Sequence, residues 1–111
     1  MTLVVSARGK DFIIASADSR GTFGDPLVAF SSFHRYGWAT GGVPMFAIYL
    51  LGRRYRDNMS VEELSALVAY VTAETATQDL RVGGQIKMAK ILTDGIQEIP
   101  ETEIKNLLDR Y

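Results

Sequence analysis

The chain has 111 residues, no cysteine, one histidine and a formal net charge of −1. That length fits one domain, and 47% hydrophobic residues are enough for a core. The near-neutral charge gives no long-range pull toward nucleic acid or an anionic membrane, and the missing cysteines exclude disulfides and thiolate metal sites.

Residues 3–7 (LVVSA) and 12–17 (FIIASA) are short, β-branched and apolar. The intervening Arg8-Gly9-Lys10-Asp11 reads as a hairpin turn, with Gly9 free to take positive φ. Neither run alternates cleanly, which predicts strands covered on both faces. Gly21, Gly24 and Pro26 then break the chain. Leu27 to Phe30 and Arg35 to Thr40 read as a second hairpin, closed by Gly41-Gly42.

Residues 43–57 read as a helix. Pro44 suits its first turn, and Met45, Ile48, Tyr49, Gly52 and Tyr55 fall on one face. Arg53, Arg54 and Arg56 sit in the last turn, where cations complement the helix dipole. Ser60-Val61-Glu62-Glu63 is a capping box, with Met59 and Leu64 at the hydrophobic-staple positions. The stripe Leu64, Leu67, Val68, Val71 and Thr75 carries this second helix to about residue 79. Ile86 to Leu92 reads as a strand, Asp94-Gly95 as a hairpin turn, and Ile96 to Ile99 as the returning strand. After Pro100, the residues Ile104, Leu107, Leu108 and Tyr111 mark a last amphipathic helix. The predicted order ββββ-αα-ββ-α is that of an α+β domain over residues 1–111. No basic segment followed by an apolar run opens the chain, and no apolar run reaches membrane length. A cytoplasmic protein without a secretory signal is expected.

Thr2, two strands and then Asp18-Ser19-Arg20 resemble the opening of proteasome β-type subunits and their HslV-like relatives, the N-terminal-nucleophile (Ntn) hydrolases. Tyr36-Gly-Trp-Ala-Thr-Gly-Gly42 looks like the glycine-rich strand end of that family, and Met59 to Glu63 is similar to the start of its fourth helix. Gln78-Asp79 with Gly83-Gly84, then Ile86 to Glu98, follow the family's order to the end of the chain. The resemblance implies half of an Ntn sandwich: one mainly antiparallel sheet under one helical layer. It implies catalytic roles for Thr2, Asp18 and Asp79, and binding roles for Arg20, Gly41 and Gly42. No cofactor is implied. The chain departs from the family in being internally shortened near residues 24–27. The stretch that would carry the family's catalytic lysine has no counterpart here. The serine of the family's glycine-rich turn is missing, because Gly41-Gly42-Val43 stands there, and Val82 stands where the family has a serine three residues after Asp79.

The chemistry implied is that of a threonine peptidase. The Thr2 hydroxyl attacks a carbonyl while its own α-amine, of pKa about 8, takes the proton. An amide-bound Thr2 nitrogen cannot do this, so Met1 must be removed. Without a cationic partner, Asp18 at a buried strand end would drift toward protonation. Arg20, Lys10 and Arg81 are the cations weighed as substitutes. The expectation is therefore a self-assembling protein of peptidase ancestry, weakly active or inactive in this form. The alternatives are an active peptidase once Met1 is removed, or an engineered or truncated non-catalytic assembly protein. The expected partner is a second copy, docked on the sheet face that lost its cover, with Val4, Ile13, Val28, Phe30 and Trp38 contributing. A peptide is the other expected partner; nucleic acid and membrane are not expected.

Bland readings account for the other candidates. His34 suits a solvated loop, and a lone histidine makes a zinc site improbable. Arg53, Arg54 and Arg56 are explained by a helix end. Gly41-Gly42 and Gly83-Gly84 lack the pattern of a phosphate loop. Tyr49, Tyr55 and Trp38 suit a core or an interface better than a cofactor box.

Overall fold

A computed structural model describes residues 3–17, 37–42, 45–78 and 85–110 of the chain. Strands β1 (Leu3–Arg8) and β2 (Phe12–Ala17) form the first hairpin. Strand β3 (Trp38–Gly42) is followed by helices α1 (Met45–Arg54) and α2 (Val61–Gln78). Strands β4 (Lys87–Leu92) and β5 (Gly95–Ile99) form the second hairpin, and α3 (Glu101–Leu108) ends the described chain. The strands make one antiparallel sheet in the order β3-β1-β2-β4-β5. This is an α+β fold with a single helical layer on one sheet face. The predicted strand Leu27–Phe30, the junction at residues 24–27 and the turn around His34 lie outside the described residues.

The sheet's two faces follow from register. Leu3, Val5, Ala7, Phe12, Ile14, Met88 and Ile99 face the helices and join Leu64, Leu67, Val68 and Val71 in one core. All five positions of the predicted α2 stripe are buried, because α2 packs on β1 and β2 between α1 and α3. Fully burying one such aliphatic side chain is worth about 1.5–3 kcal/mol. Ile104 and Leu107 fasten α3 to the same core as expected, and Tyr111 lies outside the described residues. The capping box forms as read: Glu63 N–H donates to Ser60 Oγ and Ser60 N–H to Glu63 Oε1, each at 3.1 Å.

Several expectations change. The buried face of α1 is Ala47, Leu50 and Leu51, whereas Ile48, Tyr49 and Gly52 point to solvent. Apolar residues lie on both sides of this helix, so spacing alone selected the wrong stripe. Trp38 pairs with Ala7 and packs on the helix side, not on the opposite face. In the second hairpin Gly95 already pairs with Leu92, so the turn is Thr93-Asp94. Gly9 is not among the positive-φ residues; a Cβ there would overlap the Phe12 ring, and that close approach is what requires glycine.

The face turned away from the helices is only partly open. Val4, Ala15 and Ala17 are buried, at 8%, 5% and 4% exposure, yet none belongs to the core beneath the helices. Val4 is therefore not part of an uncovered surface. Ile13 and Ile91 are half-buried, and Ile96, next in the same row, is 73% exposed. Val28 and Phe30 lie outside the described residues.

Candidate functional site

Antiparallel pairing collects several chain ends at one end of the sheet. Leu3, the first residue of β1, pairs with Gly42, the last of β3. Val4 pairs with Gly41 on one side and with Ala17, the last residue of β2, on the other. Ala17 in turn pairs with Lys87, the first residue of β4. Helix α2 points toward the same end. Its capped start lies beside Arg56, next to the tyrosine that reaches Arg8 at the opposite end of β1. Further along, Thr72 meets Ser16, one residue before the end of β2.

This arrangement bears directly on the sequence-predicted residues. Thr2 precedes Leu3 and Asp18 follows Ala17, each one residue from a described position at this end, and Asp79 follows Gln78, the last residue of α2. Thr2, Asp18, Asp79 and Arg20 themselves lie outside the described residues, as does Arg81. Gly41 and Gly42 are described, and the structure sets their backbone beside the start of β1. Two consecutive glycines leave that part of the strand without side chains, so another backbone can approach closely.

Lys10 is not at this end. It sits in the β1–β2 turn, and the six-residue strand β1 separates it from Leu3. Such a strand spans roughly 17 Å, far beyond a lysine's reach. Among the described residues, the cation that the sheet brings here is Lys87. It shares the row Val4–Ala17–Lys87 on the face away from the helices, two strand spacings or about 10 Å from β1, and is exposed. Sequence reasoning missed it because the β2–β4 pairing joins residues seventy apart by the register Ala17↔Lys87.

A hydroxyl cluster lies just beneath the same end. Ser16 Oγ and Thr72 Oγ1 are 2.6 Å apart, both side chains fully buried. Thr72 Oγ1 also donates to the Val68 carbonyl at 3.0 Å, and Thr75 Oγ1 to Val71 O at 2.7 Å. Every hydroxyl is thereby satisfied in the core, which fixes the height of α2 over β2. The cluster leaves no orphaned group for a ligand.

No protein-family model and no curated protein matches this chain. At the opposite end of the sheet, Tyr55 O–H donates to the Arg8 carbonyl at 2.9 Å, while Arg8 N–H donates to Gly37 O at 2.9 Å. Burial pushes the Tyr55 phenol above its ordinary pKa, opposed by the Arg8 guanidinium and assisted by Asp57. A protonated Tyr55 keeps its donor. These contacts tie β1, β3 and the end of α1 together, so the strands reach the candidate site from a fixed base. Among the described residues no three His, Cys, Asp or Glu side chains cluster as metal ligands, and no helix is long and apolar enough to cross a membrane.

Proposed function

We propose that this chain is a shortened proteasome-type Ntn protein: a threonine-peptidase scaffold that self-assembles and is weakly active or inactive in this form. The observation that carries the reading is the meeting, at one sheet end, of the start of β1, the end of β2, the Gly41-Gly42 end of β3 and the direction of α2. Those are the positions from which Thr2, Asp18 and Asp79 continue the chain. A nucleophile and its orienting carboxylate must lie within hydrogen-bond reach, and the β1–β2 register brings the residues next to Thr2 and Asp18 to one sheet end. The self-assembly belongs to the sheet face away from the helices, where the row Ile13–Ile91–Ile96 remains open.

The expected chemistry is limited by two groups. With Met1 attached, the Thr2 nitrogen is an amide and accepts no proton, so that form hydrolyses no fluorogenic peptide detectably. Removal of Met1 frees the amine but supplies no cation in the family's place. The trimmed form then gives at most slow turnover, lost in Thr2→Ala. The test is a peptide-hydrolysis assay on both forms, each verified by intact mass. Brisk Thr2-dependent cleavage by the Met1-bearing form overturns the proposed mechanism. Trimmed-form turnover that survives Thr2→Ala overturns the assignment of Thr2.

A further inference from the structure

Three arginines from three parts of the chain line one cleft: Arg54 at the end of α1, Arg56 in the α1–α2 connection and Arg110 just after α3. The cleft holds about 380 Å³, and its apolar lining is Met59 and Ala66, both buried. A helix end accounts for a cation on α1, as the sequence suggested. It does not account for the meeting with Arg110. That meeting arises because α1 and α3 both pack on α2, which brings the two helix ends to its capped start.

The acids nearby do not use up the three guanidinium groups. Glu63, in the wall of the cleft, spends both carboxylate oxygens: Oε1 accepts from Ser60 N–H and Oε2 from Arg56. Glu62 lies 4.0 Å from Arg110, beyond hydrogen-bond distance, and its side chain is 82% exposed. Asp57 and Asp109 are sequence neighbours of Arg56 and Arg110 but do not line the cleft; Asp57 lines another, with Arg8 and Lys10. Arg54 is held over the Tyr70 ring, 4.9 Å from its centre, which orients its guanidinium in advance of any ligand.

We propose that this cleft binds a small phosphate monoester, with the phosphate among Arg54, Arg56 and Arg110 and the group that carries it against Met59 and Ala66. Guanidinium forks match phosphate oxygens in paired hydrogen bonds, and a phosphate offers three such oxygens with close to two negative charges. A lone carboxylate offers two oxygens and one charge, fewer than three arginines from three directions can engage. The cleft is larger than a bare phosphate, and its apolar lining suits a carrier group. Glu63 stays on Ser60 and Arg56, so the helix cap is kept when the ligand binds. The capped start of α2 lies toward the Arg8 end of the sheet, away from the Leu3–Gly42 end. Phosphate binding is therefore independent of any chemistry at Thr2.

The test is a nuclear magnetic resonance titration of the full chain with O-phosphoserine, inorganic phosphate and serine, with circular dichroism to confirm that each variant folds. O-phosphoserine should give saturable shifts centred on Arg54, Arg56, Glu63, Ala66 and Arg110, and serine none. Arg110→Gln should weaken binding about tenfold, the loss of one charge-assisted contact. Arg54→Lys keeps the charge but loses the fork, and should also weaken it. Glu62→Gln removes the acid facing Arg110 and should tighten binding about threefold, which a purely structural Arg110–Glu62 pair would not produce. Lys105→Gln, at an exposed position of α3 outside the cleft, should leave binding unchanged. Absence of saturable shifts in the wild type overturns the site. Equal weakening by Arg110→Gln and Lys105→Gln overturns it too, because the attraction is then general. Inorganic phosphate that binds as tightly as O-phosphoserine overturns the assignment of a monoester.

Discussion

Gly37 illustrates how one residue holds a strand end in place. Its φ of +83° lies in the left-handed region, and a Cβ there would run into the Tyr55 ring. Its carbonyl meanwhile accepts from Arg8 N–H, and the Tyr55 hydroxyl donates to Arg8 O. Gly37→Ala therefore combines backbone strain with overpacking and should cost about 2–3 kcal/mol in urea unfolding. An unchanged denaturation midpoint would show that the loop relaxes freely around the new methyl. Gly9 is constrained differently, by the Phe12 ring lying over its α-carbon. In both cases the aromatic neighbour, not the turn type alone, makes glycine necessary.

The start of α2 is the element whose stability is most localised. Ser60 and Glu63 exchange hydrogen bonds, Met59 and Leu64 are buried beside them, and Arg56 bonds Glu63 from outside. Ser60→Ala should lower unfolding stability by about 1 kcal/mol and leave assembly unchanged. Coincident thermal melts would mean that Ser60 does not cap the helix. The Ser60 backbone N–H, then the Arg56 guanidinium and the Ser60 hydroxyl, hold the Glu63 carboxyl below its ordinary value of 4.5. A carboxyl lowered on folding stabilises the fold when ionised in both states. That contribution is complete above the ordinary carboxyl range and is lost as pH falls through the lowered folded value. Glu63→Gln keeps a capping side chain but removes the ionisation. Its melting temperature should lie below wild type near neutrality and converge with it in acid. Parallel pH profiles for the two proteins would refute the assignment.

At the scale of the whole molecule, the two ends of the sheet are built differently. The Arg8 end is closed by Tyr55 and the β1–β2 turn, and Lys10 is confined there. The Leu3–Ala17–Gly42 end carries Lys87 on its outer face. If a lysine assists Thr2, position decides which. In that case, in the protein lacking Met1, Lys87→Met should lower Thr2-dependent turnover further, and Lys10→Met should leave it unchanged. Turnover that responds to Lys10 rather than Lys87 would place the chemistry at the wrong end of the sheet.

Local signals in the sequence determined the elements. The apolar runs at residues 3–7 and 12–17, the capping box at Ser60 and the Ile104–Leu107 spacing each act over a few residues, and each formed as read. The α+β class followed from their order. What only the tertiary structure decided was which side of each element is inside. α1 carries apolar residues all round, so its buried face was set by α2 and β3, which turned Ile48, Tyr49 and Gly52 outward. Trp38 was placed by its pairing with Ala7, and the Thr93-Asp94 turn by a one-residue register choice in β4–β5. The candidate site divides the same way. Thr2, Asp18 and the glycine pair were legible as motifs. Lys87 was not, because it joins the Val4–Ala17 row through a long-range strand pairing, and such pairings depend on packing that no short stretch of sequence encodes.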